Sequence, residues 1–170
     1  MNILIIADSH DNTTNIRKAL EKAKAYNFEA IIHAGDLVDP SMLTLLAEAN
    51  VPIYYAIGNE EEAMEDDISK MCTHLGIKAS MTVLEFKIDG KNIAVTHYPK
   101  IAEKLWSGGK YDVVIYGHTH FSKNAYKGSS LLLNPGNLAG FREEAKFAIY
   151  NTQTHSATII PLIQKSFTFE

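Results

Sequence analysis

The sequence has few of the features that mark secreted, membrane or nucleic-acid-binding proteins. Cysteine occurs once, as Cys72, so an internal disulfide is excluded and a reducing compartment, the cytoplasm, is expected. No apolar run approaches the roughly 20 residues that span a bilayer. The apolar run at 2–7 has no basic segment before it and is broken by Asp8. We therefore expect neither a signal peptide nor contact with a membrane.

An excess of positive charge is also missing. Lys and Arg number 16 against 20 Asp and Glu, which gives a net charge of -4, and the basic residues form no cluster. This argues against nucleic acid as a general partner. A small phosphorylated ligand remains compatible, because a bound metal ion can supply positive charge locally. The length and the 46% hydrophobic content predict one globular domain over residues 1–170.

Short apolar runs that end in polar residues recur along the chain. They are rich in β-branched and aromatic side chains, which is typical of strands buried on both faces. Amphipathic stretches at 12–26, with Asn12 or Thr13 as the N-cap, and at 41–49 predict helices between the first three runs. The chain therefore begins as a βαβαβ unit with a parallel sheet. The runs are 2–8, 29–36, 52–59, 92–97 and 112–120.

The second half predicts antiparallel hairpins instead. Asp89-Gly90 is a strong turn signal between two apolar runs, Gly128 marks a second turn, and residues 145–162 predict a third hairpin. An α/β fold with two mixed sheets packed face to face and helices outside accommodates both halves.

Metal-competent side chains stand at the ends of all five runs. Ligands of open α/β sheets bind beyond the carboxyl ends of the strands. A lone aspartate there is usually a turn residue, but seven such side chains together predict a site. In extended backbone, residues two apart point to the same side, which pairs Asp8 with His10 and His118 with His120. The seven are Asp8, His10, Asp36, Asn59, His97, His118 and His120.

Three other histidines are expected to have structural roles. His33 lies inside an apolar run and is interpreted as a core residue or a support for the site. His74 is expected on a helix and His155 in the last hairpin.

The seven side chains favour two divalent ions. Four imidazoles, two carboxylates and one amide suit Mn, Fe, Ni, Co or Zn, and the lack of thiolates excludes a structural zinc site. An odd number of ligands is explained if Asp36 bridges, since Gly35 beside it allows close packing. Two ions about 3.5–4 Å apart would hold a bridging hydroxide and bind the oxygens of a phosphoryl group. The expected reaction is in-line hydrolysis of a phosphate ester.

The segments DSHDN, HAGD, GNE, VTHY and YGHTH resemble the five blocks of the calcineurin-like metallophosphoesterases. The short length and NPGN at 134–137 are similar to the compact prokaryotic phosphodiesterase branch, which is YfcE-like and also similar to the retromer subunit Vps29. The resemblance implies a four-layer αββα sandwich and a possible homodimer. It places Asp8, His10, Asp36 and His120 at one ion, and Asp36, Asn59, His97 and His118 at the other.

The sequence departs from the family pattern near the site. Glu60 stands where many members have a histidine that protonates the leaving group, and Glu61 falls on the usual acidic position. Tyr98 replaces a common glycine, and it either stacks on an aromatic group or narrows the mouth of the site. Asn137 replaces a common serine, in a turn formed by NPG. Acidic residues from Glu62 to Asp67 are expected on the surface, in the first turn of a helix.

The favoured function is a metal-dependent phosphodiesterase or phosphatase acting on a small phosphoester, with manganese as the first choice of ion. Asp36 would bridge, and Asn59 or His118 would contact phosphoryl oxygens. A Vps29-like protein-binding scaffold with a vestigial metal site is the alternative. A third reading is a regulatory sensor that binds a phosphorylated ligand without turnover.

Overall fold

The computed structural model describes residues 1–163. None of the helices in this range is long and apolar enough to cross a membrane. Short 3-10 segments, Lys24–Tyr26 and Asn59–Met64, follow α1 and precede α3. The helices are α1 Thr13–Ala23, α2 Met42–Ala47, α3 Glu65–Leu75 and α4 Pro99–Ser107. The strands are β1 Asn2–Ile6, β2 Phe28–His33, β3 Ile53–Ala56, β4 Lys78–Ser80, β5 Leu84–Ile88, β6 Lys91–Val95, β7 Val113–Ile115, β8 Lys123–Lys127, β9 Ser130–Asn134, β10 Lys146–Asn151 and β11 Ser156–Pro161.

The first sheet combines parallel and antiparallel strands in the order β11-β10-β1-β2-β3-β4. Strands β1 to β4 run parallel, whereas β10 and β11 pair antiparallel at one edge. Helices α1 and α2 connect β1, β2 and β3, which confirms the predicted βαβαβ beginning. The side chain of Asn12 accepts from the Asn15 amide at 3.0 Å and caps α1.

The second sheet has the order β5-β6-β7-β9-β8. Strands β6, β7 and β9 run parallel, and β5 and β8 are antiparallel to their neighbours. The three predicted hairpins are present as β5–β6, β8–β9 and β10–β11. The first two turns contain Asp89-Gly90 and Gly128, as the sequence indicated, and the third is formed by residues 152–155.

The apolar strands are buried on both faces. Ile3 and Ile5 point into the layer between the two sheets, where they meet residues of the second sheet such as Val95. Successive strand residues point to opposite faces, so Leu4 and Ile6 pack on the other side, in the core that includes α1, α2 and α3. This double burial explains why the strands read as continuous apolar runs.

Helix α4 covers the outer face of the second sheet, and the sequence analysis did not predict it. Ala102 packs against Val114 and Leu132, while the Trp106 indole donates to the Ser130 carbonyl at 2.9 Å. Pro99 occupies the first helical position, where its missing N–H costs nothing. Two mixed sheets with helices on both outer faces confirm the predicted four-layer sandwich. The short strand β4 was also missed.

The single cysteine provides a simple test of this packing. Cys72 lies on the buried face of α3 and exposes 4% of its surface, and burial raises the pKa of its thiol to about 11. The thiolate is the reactive form. We expect a disulfide reagent at about pH 8 to react at least about a hundredfold more slowly with the native protein than with the urea-unfolded chain. Equal rates of reaction of Cys72 with the reagent in the native and the unfolded protein would contradict this packing.

Candidate metal centre

The seven predicted residues lie in loops at the carboxyl ends of strands from both sheets. Asp8 and His10 follow β1, and Asp36 follows β2. Asn59 follows β3, His97 follows β6, and the two histidines of YGHTH follow β7. Parallel strands of two stacked sheets therefore direct these loops to one shared edge, as the sequence analysis predicted.

The side chains form two groups that share one carboxylate. Ligand atoms of Asp8, His10, Asp36 and His120 lie within 4.8 Å of one another, and so do those of Asp36, His97 and His118. Asp36 has one oxygen on each side: Oδ2 is 4.0 Å from His10 Nε2, and Oδ1 is 3.3 Å from His97 Nε2.

Asn59 belongs with the second group. Its Oδ1 is 3.0 Å from His97 Nε2 and 2.9 Å from His118 Nδ1, and those two ring nitrogens are 3.1 Å apart. An amide oxygen and two ring nitrogens at these separations converge on one point. This is how a set of metal ligands is arranged.

The backbone at these residues is left-handed, which corrects the expectation of extended segments. The φ angles are 49° at Asp8, 41° at His10, 54° at Asp36, 67° at His118 and 63° at His120. Aspartate and histidine tolerate this region better than most residues. Since the chain turns at each ligand, residues two apart do not simply share a side. Asp8 and His10 still share one group, whereas the two histidines of YGHTH belong to different groups, as the family resemblance implied.

Hydrogen bonds between loops hold the left-handed residues in place. The Asp8 amide donates to the Gly35 carbonyl at 2.9 Å, and the His10 amide donates to the Asp36 carbonyl at 3.0 Å. The His118 amide donates to Asp8 Oδ1 at 2.9 Å. Three separate loops are thereby fixed to one another before any ligand binds.

Two glycines allow the ligands to approach the backbone. A Cβ atom on Gly35, whose φ is +95°, would lie 2.2 Å from His97 Nδ1. A Cβ on Gly58 would lie 2.2 Å from Asp36 Oδ1. Any side chain at either position would displace a candidate ligand, so the close packing that the sequence suggested beside Asp36 is present.

His97 is oriented by the backbone. It is fully buried, and its Nδ1 lies 2.8 Å from the Ala34 carbonyl, so the Nδ1–H donates there. In the neutral ring, Nε2 then carries the lone pair on the side of the other ligands, which is the usual arrangement of a metal-binding histidine. Burial tends to lower the pKa of His97, but the hydrogen bond and charge of Asp36 outweigh it and raise the pKa.

The two carboxylates differ in ways that favour a cation. Burial raises the pKa of Asp8 to about 7, and its buried Oδ2 has no hydrogen-bond partner in the described chain. Burial also acts on Asp36, but the hydrogen bond and charge of His97 and the charge of His10 dominate and lower its pKa. A buried carboxylate oxygen without a hydrogen-bond partner is stabilised by a bound metal ion. The residues present therefore fit divalent ions.

His33 supports the site from behind, as the sequence analysis suggested. It is fully buried, and its Nδ1 accepts from the Gly35 amide at 3.2 Å, while its Nε2 contacts Ser9 Oγ at 2.9 Å. Burial lowers the pKa of His33 to about 3, so the ring is neutral. The other two histidines that were expected to have structural roles also lie outside the two groups. His74 lies on α3, and His155 lies in the β10–β11 turn, where its Nδ1 contacts the Tyr150 hydroxyl.

Glu61 has a role that the sequence analysis missed. Its side chain is fully buried, and its two oxygens accept from the backbone amides of Gly58 at 2.6 Å, Val38 at 2.8 Å, Asp36 at 3.3 Å and also Leu37. This carboxylate joins the loop after β2 to the loop after β3. The surrounding acids gave no signal for this, because Glu62 and its acidic neighbours to Asp67 are exposed, as predicted.

Glu60 and Tyr98, which both depart from the family pattern, lie at the rim of the second group of ligands. Glu60 is exposed, and its Oε1 accepts from the Asn59 amide group at 3.2 Å. The Tyr98 ring is 5.4 Å from the ring of His97 and 6.3 Å from that of His118. Its hydroxyl donates to Glu62 at 3.0 Å, which fixes the tyrosine beside the mouth of the site.

Asn137 organises the loop between β9 and β10. The side chain is fully buried; its Nδ2 donates to the carbonyls of His120 at 3.2 Å and Phe141 at 2.7 Å. Its Oδ1 accepts from the Gly140 and Phe141 amides at 2.6 and 2.7 Å. The predicted turn before it is present, with Gly136 at a φ of +86°. A serine side chain could not make four such contacts.

Comparison with known proteins decides the family. The sequence pattern of the family described as the calcineurin-like phosphoesterase superfamily domain matches residues 1–155. The chain belongs to this superfamily. The matched range contains all seven residues of the two groups, and membership makes the chain a metal-dependent phosphoesterase. This confirms both the family resemblance and the enzyme class that the sequence predicted.

Relatives of this phosphoesterase include archaeal and bacterial proteins. Phosphodiesterase MJ0936 of Methanocaldococcus jannaschii is 33% identical over 145 residues, which cover 83% of this chain and 86% of the relative. The solved structure of an archaeal phosphodiesterase has a TM-score of 0.86 at 29% identity, covering 95% of this chain and 99% of the other. YfcE of E. coli has a TM-score of 0.66 at 14% identity, covering 96% and 100%, and shows the shared fold.

Proposed function

We propose that this phosphoesterase is a phosphodiesterase that hydrolyses a small phosphoester at a centre of two divalent ions. The observation that carries the proposal is the position of Asp36, whose two oxygens face two separate groups of ligand atoms. A single shared carboxylate between two groups is what a two-metal site requires. The name of the Methanocaldococcus jannaschii relative supports a diester as the substrate.

The first ion would be held by Asp8, His10, Asp36 and His120, and the second by Asp36, Asn59, His97 and His118. Imidazole, carboxylate and amide ligands without thiolate favour manganese, and they also suit nickel, cobalt, iron or zinc. Bound there, the ions would supply positive charge to the phosphoryl oxygens and lower the pKa of water.

The chain's own residues would bind and orient the substrate. His118 is exposed at the mouth, and the Asn59 side chain beside it is half-buried, so both can reach the oxygens of a phosphoryl group. Glu60 and Tyr98 line the same side. The acidic residues around this rim disfavour long polyanions, which supports a small substrate.

The scaffold alternative is not favoured. A Vps29 structure from Entamoeba histolytica has a TM-score of 0.67 but only 16% identity, so the likeness concerns the fold alone. A scaffold has no need of seven converging polar side chains, of which Asp8 and His97 are fully buried. A homodimer and a cytoplasmic location remain predictions from the sequence.

Hydrolysis of bis(p-nitrophenyl) phosphate tests the proposal. The protein is stripped of metal with a chelator, and Mn, Ni, Co, Zn and Mg are added back one at a time. We expect no release of p-nitrophenolate from the stripped protein and the fastest release with manganese. Metal binding without turnover in every case would contradict the enzymatic function and direct attention to the scaffold.

A further inference from the structure

Phe141 is an exposed aromatic residue beside the first group of ligands. Its ring exposes 52% of its surface, and its centroid lies 5.3 Å from the ring of His10 and 6.3 Å from that of His120. An exposed phenylalanine does not contribute the stabilisation that a buried one provides. Exposed apolar surface at the mouth of a polar site often marks contact with a ligand.

The ring is attached to a firmly held backbone. Both the amide and the carbonyl of Phe141 are hydrogen-bonded to the buried side chain of Asn137, at 2.7 Å each. The same carbonyl accepts from the Glu143 amide at 2.8 Å. Because Asn137 also contacts the His120 carbonyl, the aromatic ring and the ligand histidine are positioned by one residue.

Phe141 lies on the opposite side of Asp36 from Glu60, which stands where many family members have the histidine that protonates the leaving group. Glu60 and His118 flank Asn59 on the side of Asp36 Oδ1, whereas His10 and Phe141 lie on the side of Oδ2. If a diester binds between these sides with its leaving group near Glu60, its other ester group would be directed towards Phe141.

We propose that Phe141 is a specificity residue that stacks on a planar aromatic ring in the ester group retained on phosphorus. The inference rests on the proposed phosphodiesterase function and narrows its substrate class to diesters carrying an aryl group or a nucleobase. Stacked aromatic pairs of this kind strengthen binding by about fivefold. Asn137 is the positioning residue for this contact.

Two substrates with the same leaving group test the contact. Bis(p-nitrophenyl) phosphate retains an aryl group, and methyl p-nitrophenyl phosphate retains a methyl group. In both, the bond from phosphorus to p-nitrophenolate breaks and a bond to the oxygen of water forms. The ratio of kcat/KM for the two substrates is compared between variants, so that their intrinsic reactivities cancel.

Phe141→Ala is expected to lower this ratio by about fivefold, mainly through KM, and Phe141→Tyr is expected to restore it. Phe121→Ala is the matched control: Phe121 follows His120 directly and is 49% exposed, but in the described chain its ring makes no such contact with either histidine. The ratio of kcat/KM for the two substrates in Phe121→Ala is expected to equal that of the wild type. Thymidine 5′-(p-nitrophenyl phosphate) then distinguishes a nucleobase from a simple aryl ring as the preferred group.

The possible outcomes separate this inference from the proposed function. If the wild type hydrolyses methyl p-nitrophenyl phosphate but Phe141→Ala leaves the ratio unchanged, the stacking inference is wrong and the phosphodiesterase function stands. An equal loss on both substrates would also overturn the inference, because it would place the contact at the leaving group. If no diester is hydrolysed with any ion, the function itself fails.

Discussion

Replacing Asp36 with asparagine is expected to lower the rate of diester hydrolysis by about three orders of magnitude or more. The substitution keeps the shape of the side chain and the acceptor for the Glu60 amide, which donates to Oδ1 at 3.2 Å. It removes the charge that faces His10 and His97 and replaces one oxygen with an NH₂ group. One of the two groups of ligand atoms therefore loses its shared carboxylate oxygen.

Asp39→Asn is the matched control for this variant. Asp39 is three residues further along the same loop, is exposed, and accepts from the Ser41 amide at 2.8 Å instead of facing the site. We expect its activity and bound metal to equal those of the wild type. For Asp36→Asn, the melting temperature of the metal-stripped protein shows whether the fold is intact. Elemental analysis of the protein before stripping gives its metal content. Full activity of a folded Asp36→Asn protein would contradict the assignment of Asp36 as the bridging ligand.

Replacing Glu61 is expected to damage both stability and activity, although this residue touches no substrate in the proposed mechanism. Four backbone amides, including those of Asp36 and Gly58, donate to its carboxylate in the interior. Glu61→Ala leaves these amides without acceptors, so we expect the free energy of unfolding to fall by about 4 kcal/mol. Glu61→Gln keeps one oxygen but turns an NH₂ group towards other donors, and about 2 kcal/mol is expected.

Urea unfolding of both variants and of Glu62→Ala measures these differences. Glu62 is adjacent in sequence and exposed, and its contact is with the Tyr98 hydroxyl, so a loss below about 0.5 kcal/mol is expected there. Hydrolysis should fall in Glu61→Gln as well, because the loop that presents Asp36 is no longer held. A Glu61→Ala protein as stable as Glu62→Ala would contradict the role of the buried carboxylate.

The sequence was most informative where one residue type has few uses. Continuous apolar runs indicated strands covered on both faces, and Asp89-Gly90 and Gly128 marked two of the three hairpin turns. Histidine, aspartate and asparagine at the ends of such runs are unusual enough in combination to be recognised. Helix α4 was missed because its start signal, Pro99, lies only two residues after the candidate ligand His97 and was interpreted as part of the site.

Local geometry at the site was not predictable from the same patterns. The expectation that residues two apart share a side assumes an extended backbone, whereas Asp8, His10 and His118 are left-handed. Their conformation is stabilised by hydrogen bonds to other loops, such as the one between the Asp8 amide and the Gly35 carbonyl. Sequence spacing contains no information about such partners.

The sequence by itself determined the parallel βαβαβ beginning of the first sheet, the family, and the seven side chains that the structure brings to one edge. Only the tertiary structure decided that the loops turn through left-handed backbone at five of the ligands, that Glu61 is an internal support, and that Phe141 faces the histidines. The physical reason is distance along the chain. Periodicity and residue type report on neighbours within a few positions, whereas Phe141 and His10, or Glu61 and Asp36, meet only after separate strands of the first sheet have paired.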